Sequence, residues 1–464
     1  MSIIIPANSA VSGGFSVANS LMFNSVDSPR LTRSGATPTS AQKATMSFWI
    51  KRSSSGSAQV IVDWFEDSIN FTRLAFESDD VLKFSSKDGN NVYGQLTTNR
   101  KFRDTSAWYN IIVAIDTTQG TASNRMKMYI NGVQETSFST ETQPAQNRNF
   151  KFDAGKTVGA NGGIGEFFNG YMSEGVYADG TQNAQTDFGE FEEDSGIWQP
   201  IDVSGLTFGN NGFYLDFEDS SALGNDAAGS NNFSLNNIAA IDQATDTCTN
   251  NFATVSSATP ATGNLTYLRS GNLELKQTNN PYAWPTTLVA TTGKWYWEQK
   301  VSALGTTAVG VLKQDKFPQN GSLFYPFVQA TGFAYKNTGN KGNNNNDSSY
   351  GASYTNDDIL SVAFDQTNGT IWFAKNGAWQ NSATKTEIEN GTTTNSAFSS
   401  MSTNGEFYGP FIYTDGSTVV FSNFGNPFFA ISSGNSDGND FGNFEYEVPT
   451  GYFSLCSKNL AEFG

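Results

Sequence analysis

The chain contains no histidine. That absence removes Ser-His-Asp and Cys-His nucleophile activation and His-bearing zinc sites, and leaves carboxylate, lysine, tyrosine or bound-calcium chemistry. Cysteine is nearly as scarce. Cys248 and Cys456 stand far apart, which is no disulfide framework, and they read as free, partly buried thiols of a chain made in a reducing cytoplasm. No apolar run approaches the roughly 18 residues that span a bilayer. The opening stretch, with Ile3, Ile4, Ile5 and Pro6, lacks a charged leader and a full apolar segment, so neither a membrane span nor a secretion signal is expected. Basic residues are outnumbered, 27 Lys and Arg against 44 Asp and Glu. At a net charge of −17 the chain repels phosphate backbones and anionic headgroups, so nucleic acid is not an expected partner.

What is present favours sheets. With 37 Phe, 17 Tyr and 9 Trp, large flat side chains must fill the cores, and 464 residues are too many for one of them. Asn-Gly and Asp-Gly pairs at Asp88-Gly89, Asn131-Gly132, Asp179-Gly180, Asn376-Gly377 and Asp415-Gly416 mark hairpin turns. The expected fold class is all-β, two antiparallel, jelly-roll-like β-sandwich domains joined by an irregular connector. Residues 1–14 read as an extended N-terminal arm. From 15 to 218, Thr45 to Ile50 alternates so that Met46, Phe48 and Ile50 share a face, and further strands are expected at 60–64, 71–76, 109–115 and 125–130. Met126, Met128 and Ile130 point one way and Lys127 and Tyr129 the other, before Asn131-Gly132 reverses the chain.

The succession Trp108 to Asp116 and then Met126 to Val133, with Phe48-Trp49-Ile50 upstream and Phe168 to Glu174 downstream, resembles the laminin-G and concanavalin-like sandwich family. The resemblance covers about two hundred residues and implies a two-sheet scaffold that serves lectins, glycosidases and adhesion modules alike. Residues 219–260, rich in Asn, Asp, Gly and Ser, read as the connector. From 261 to 450 the strand Asp358 to Asp365, the turn Gln366 to Gly369 and the strand Thr370 to Lys375 running into Asn376-Gly377 resemble the SPRY family. Gly409 to Ile412 and Val419 to Gly425 stand where such a domain keeps its closing strands. The SPRY resemblance implies a non-catalytic binding module whose loops choose the partner. Residues 451–464 read as a C-terminal tail. The whole arrangement resembles that of bacteriophage structural proteins. It implies a virion protein, made in the host cytoplasm and displayed as a tail fibre or as capsid decoration. Its partners would be other virion proteins and host surface carbohydrate or another envelope component. A homo-oligomer is expected, a trimer above all, since several copies give avidity.

Candidate sites follow from residue type. Two carboxylates about 5–5.5 Å apart in a cleft would suit retaining glycoside hydrolysis. The clusters available are Glu190, Glu192, Glu193 and Asp194, and Asp216, Glu218 and Asp219. The expectation is no catalysis, although Asp216 and Glu218 would share one face of a strand. Calcium is the one cofactor considered, with Asp63, Glu66 and Asp67 as an oxygen-ligand loop. The segment Asn337 to Asp347, with Asn343, Asn344, Asn345 and Asn346, offers amides beside the aromatic faces of Tyr335 and Tyr350, a kit that binds sugars or polar protein surfaces. Trp295 and Trp297 share a strand face and should pack inward, whereas Trp379 should be exposed and join the ligand-binding set.

Overall fold

A computed structural model of the chain describes residues 14–257, 265–278, 281–317 and 324–464. All but the last residue of the expected N-terminal arm lies outside them. Strand occupies 43% of the chain and helix 7%, so the all-β expectation holds. Two compact units divide at Thr249/Asn250. Among the described residues no helix is long and apolar enough to cross a membrane.

The first unit is a sandwich of two eight-stranded sheets. One sheet runs Val133–Gln134, Met126–Ile130, Trp108–Asp116, Lys43–Arg52, Gly170–Asp179, Ser20–Phe23 and Gln243–Ala244, with Phe213–Leu215 also paired to Gly170–Asp179. The facing sheet runs Phe138–Thr142, Asn91–Lys101, Val81–Asp88, Asn70–Phe76, Gln59–Asp67, Gly155–Val158, Arg30–Arg33 and Ser234–Asn236. Strand alternation explains the core. Ala44, Met46, Phe48 and Ile50 point inward, as do Ile111, Val113 and Ile115 beside them and Met126, Met128 and Ile130 beyond. The opposite sheet contributes Val62, Trp64, Leu74, Phe76, Leu82 and Phe84. Burying a side chain of this size stabilises by roughly 1.5–3 kcal/mol.

The expected connector is corrected here, because most of it completes the first sandwich. Leu223 and Phe233 enter the core. Ser234–Asn236 becomes the edge strand beside Arg30–Arg33, and Gln243–Ala244 pairs with Ser20–Phe23. The few apolar residues in that Asn-rich stretch are spaced to meet strand edges that would otherwise be open.

The second unit pairs an eight-stranded sheet with a six-stranded one. In the larger, Lys294–Ala303 lies between Thr418–Asn423 and Ile359–Asp365, and Thr370–Lys375 follows. The smaller is ordered Tyr282–Pro285, Tyr408–Asp415, Thr306–Lys313, Gly332–Lys336, Asn340–Asn343 and Asn346–Ser349. Trp295 and Trp297 pack inward as expected, against Leu360, Val362, Phe364, Val309 and Val311. Tyr296 and Glu298 alternate to the other face, which Ile388, Phe444, Val448 and Tyr452 cover. The expected C-terminal tail is corrected as well. Phe453–Ser454 pairs in parallel with Lys294–Ala303, and the helix Ser457–Phe463 buries Leu460 and stacks Phe463 on Phe453 at 3.9 Å.

Candidate functional site

The amide-rich hairpin of the second unit forms at its edge. Asn340–Asn343 pairs with Asn346–Ser349, which leaves Asn344 and Asn345 as a two-residue turn at φ 50° and 59°. Such a turn needs two left-handed residues, and Asn reaches that region more readily than other residues with a side chain. The tip rests on the short turn Pro326–Val328. The Asn344 and Asn345 amides donate to the carbonyls of Gln329 (3.2 Å) and Phe327 (3.1 Å). The Asn343 side chain donates to the carbonyls of Gln329, Ala330 and Gly332 at 3.4, 3.1 and 2.9 Å. Asn343 is thus a fastener, while Asn344, Asn345 and Asn346 remain exposed.

Beside this tip stands an aromatic group absent from the sequence-based set. Tyr325 is 38% exposed and leans on Phe327 and Tyr413, with ring centres 6.0 and 5.8 Å away. Lys336 Nζ sits 3.7 Å from the Phe327 ring centre and 2.7 Å from both carboxylate oxygens of Asp347. One edge therefore offers a phenol face, three side-chain amides and an ion pair, groups that stack on a sugar ring and exchange hydrogen bonds with its hydroxyls. The tyrosine signal was present in Phe324-Tyr325-Pro326-Phe327, but its proximity to the asparagines depends on the hairpin folding back.

Tyr335 and Tyr350 are corrected from ligand platforms to core residues, 0% and 6% exposed, because both alternate inward to meet Phe373. Asn337 lies at the opposite end of strand Asn340–Asn343 from the tip, its amide on the Thr307 carbonyl at 3.0 Å. Trp379 is half-buried and packs against the cluster of Trp372 and Phe444, so it is not the exposed platform expected.

The calcium set is not brought together. Asp63 is fully buried and accepts from Arg73 and from the Gly162 amide, both at 2.9 Å. Glu66 pairs with Lys151 at 2.9 Å. Asp67 closes its own turn on the amides of Ile69 and Asn70. Among the described residues no group of three or more carboxylates or thiols is placed to hold a metal ion. Arg73 stands against Asp63 where a cation would bind.

The carboxylate pair expected on one strand face is likewise corrected. The strand Phe213–Leu215 ends before Asp216, and Phe217 turns left-handed at φ 59°, which breaks the alternation between Asp216 and Glu218. Asp216 accepts from the Glu218 amide at 3.2 Å, and Asp219 from Ser221 at 2.9 Å. Glu190, Glu193 and Asp194 are exposed, and Glu192 caps the amides of Asp194 and Ser195. One buried carboxylate that the sequence reading missed is Glu174. It sits at φ 50° on a bulge between Ser173 and Val176 and accepts from the Tyr214 hydroxyl at 2.7 Å. Burial pushes its pKa up to about 8, with Asp216, Glu218 and Asp202 adding to the effect. The Glu174-Gly175 pair inside a strand was the only local sign of that bulge.

The two units are domains of binding-type β-sandwich architecture. Residues 26–185 match the Laminin_G_3 family, of the concanavalin A-like lectin/glucanases superfamily, and residues 294–426 match the SPRY domain. The SPRY domain of human HERC1 is 16% identical, with 37% of this chain and 92% of that one covered at a TM-score of 0.26. A heptameric SAP-like pentraxin from Limulus polyphemus is also 16% identical, with 37% and 81% covered at a TM-score of 0.29. Likeness at that level carries no further argument. No curated protein matches the chain.

Proposed function

We propose that this chain is a non-catalytic recognition protein, displayed on a bacteriophage particle, that contacts host surface glycan through the amide-rich edge of its second domain. The observation that carries the reading is the exposed Asn344-Asn345-Asn346 tip held beside the half-exposed Tyr325. Two domains of binding-type families in series support it, and so does the absence of imidazole. The virion placement rests on the resemblance of the whole arrangement to phage structural proteins.

The test is binding of the full chain to polysaccharide from candidate host cells. Asn344→Gly with Asn345→Gly keeps a turn that glycine also satisfies and removes two amides. Tyr325→Ala removes the ring. Both changes are expected to weaken binding about tenfold or more while the unfolding transition stays in place. Undiminished binding would refute the assignment to this edge. Antibody labelling of intact particles separates a fibre tip, which fits adsorption, from a capsid lattice, which fits cementing. Release of reducing sugar that is lost on Glu174→Gln would replace the reading with hydrolysis.

A further inference from the structure

The first domain holds a group of donors without acceptors between its two sheets. The register sets Lys156 opposite Arg33 on one side and opposite Trp64 on the other. Leu31, Val158 and Trp64 lie in the core, so alternation turns Arg33 and Lys156 inward as well. From the facing sheet Tyr177 meets Trp64, with ring centres 4.8 Å apart. Phe152 closes on both rings, at 5.4 and 5.7 Å.

Three polar atoms of this group are left over. Lys156 is 1% exposed and Trp64 and Tyr177 are 0% exposed. The Lys156 Nζ, the Trp64 Nε1 and the Tyr177 hydroxyl have no hydrogen-bond partner. Polar neighbours are engaged elsewhere. Arg33 donates to the Asn211 carbonyl (3.2 Å) and side chain (3.4 Å) and to the Asn231 side chain. Asp179 accepts from the backbone amides of Thr39 (2.6 Å) and Asn211 (3.0 Å). Burial followed by Arg33 brings the Lys156 pKa down to about 8, with Asp179 and Asp153 opposing at longer range, so the amine is mostly charged at neutral pH.

The donors decide what such a group accepts. An ammonium offers three N–H groups and an indole one, and neither accepts a hydrogen bond. A water among them would accept twice but find only the phenol oxygen for its own protons. A carboxylate or a phosphate brings several oxygens, and each one left unmet in the core costs free energy. A monatomic anion accepts from every direction at one centre and balances the buried cation. We propose that the first domain binds one halide ion, chloride in saline, between Lys156, Trp64 and Tyr177. The ion ties Gly155–Val158 and Gln59–Asp67 to the facing strand Gly170–Asp179. The site does not rest on the reading of the second-domain edge.

The test is unfolding of the full chain in chloride, bromide and gluconate at equal ionic strength, with each domain followed separately. An ion that binds only the folded domain raises its unfolding midpoint as the ion concentration rises. The first domain is expected to unfold later in chloride or bromide than in gluconate, and the second domain at one midpoint in all three. Lys156→Met removes a buried cation, is expected to fold, and should level the three salts for the first domain. Should it not fold, Tyr177→Phe keeps the ring, removes one donor and is expected to weaken the apparent halide affinity about fivefold. Crystals grown in bromide should show an anomalous peak within hydrogen-bond reach of Lys156 Nζ and Trp64 Nε1. Equal first-domain midpoints in the three salts overturn the proposal, as does a shift of the same size in the second domain. A halide response that Lys156→Met or Tyr177→Phe leaves intact, or bromide found only elsewhere, overturns the placement.

Discussion

The two domains solve the same problem with opposite chemistry. In each, a late and irregular segment must be tied to the outer face of a central strand. In the first, Lys51 points away from the core and pairs with Asp246 at 2.6 Å, both about fully buried, while the Trp108 indole donates to the same carboxylate at 3.0 Å. In the second, Glu298 also points outward from a central strand, and among the described residues no cation pairs with it. Its oxygens accept from the Tyr296 hydroxyl (2.9 Å), the Asn423 amide (3.3 Å) and the backbone of Glu445 (2.9 Å) and Tyr446 (2.8 Å). An ion pair compensates the desolvation of both partners, whereas four neutral donors compensate that of one carboxylate only in part, which leaves its ionisation free energy perturbed.

The sharpest way to break the comparison is to remove one partner from each anchor. Lys51→Met takes the cation away from a fully buried carboxylate and is expected to destabilise the first domain by about 3–5 kcal/mol. The second domain should unfold as before, and denaturant melts that follow each unit separately check both halves of the statement. Glu298→Gln should cost less, about 1–3 kcal/mol, because the amide oxygen still accepts while its NH2 is forced against a donor.

pH sharpens the contrast further. Burial, opposed by the backbone amides of Glu445 and Tyr446, pushes Glu298 up to about 7 from an ordinary 4.5. The folded domain then holds a proton that the unfolded chain has already released. The stabilisation is complete below the unfolded value and is lost as pH rises through about 7. The slope is at most about 1.4 kcal/mol per pH unit, and Glu298→Gln should flatten it. The first domain should show its own decline up to about 8, set by Glu174 and flattened by Glu174→Gln. Unfolding free energies measured across that range decide it.

The strands were legible in the sequence because their signal is local. Met46, Phe48 and Ile50, or Met126, Met128 and Ile130, alternate within six residues, and Asn131-Gly132 and Asn376-Gly377 turn where expected, at φ 49° and 74° and at 49° and 76°. What was not legible is which segment covers which outer face. Leu223, Phe233 and Asp246 looked like residues of a connector, and Tyr452 and Leu460 like those of a tail, because their partners lie beyond the reach of any local pattern, Asp246 meeting Lys51 across 195 residues and Tyr452 meeting Ile388 across 64. The ligand edge failed for the same reason. Asn344 and Asn345 could be read as exposed, but Tyr335 and Tyr350 alternate inward, and Tyr325 reaches the tip only through a fold-back that no short pattern encodes.

Those two Asn-Gly turns offer the finest version of the comparison, since backbone and sequence agree and only the neighbours differ. A methyl at Gly132 would stand 2.2 Å from the Trp198 ring, and one at Gly377 would stand 2.6 Å from the Tyr446 ring. Alanine at either position carries the same left-handed penalty of about 1–2 kcal/mol. Trp198 is 5% exposed and its indole is fixed on Asn110 at 3.0 Å, whereas Tyr446 is only half-buried. Gly132→Ala should therefore cost about 1 kcal/mol more than Gly377→Ala, the excess reflecting the overpacked indole. Adding Trp198→Phe to Gly132→Ala should remove most of that excess. If the two alanines cost the same with Trp198 in place, the hairpins differ in sequence context alone and the packing argument for the first domain is wrong.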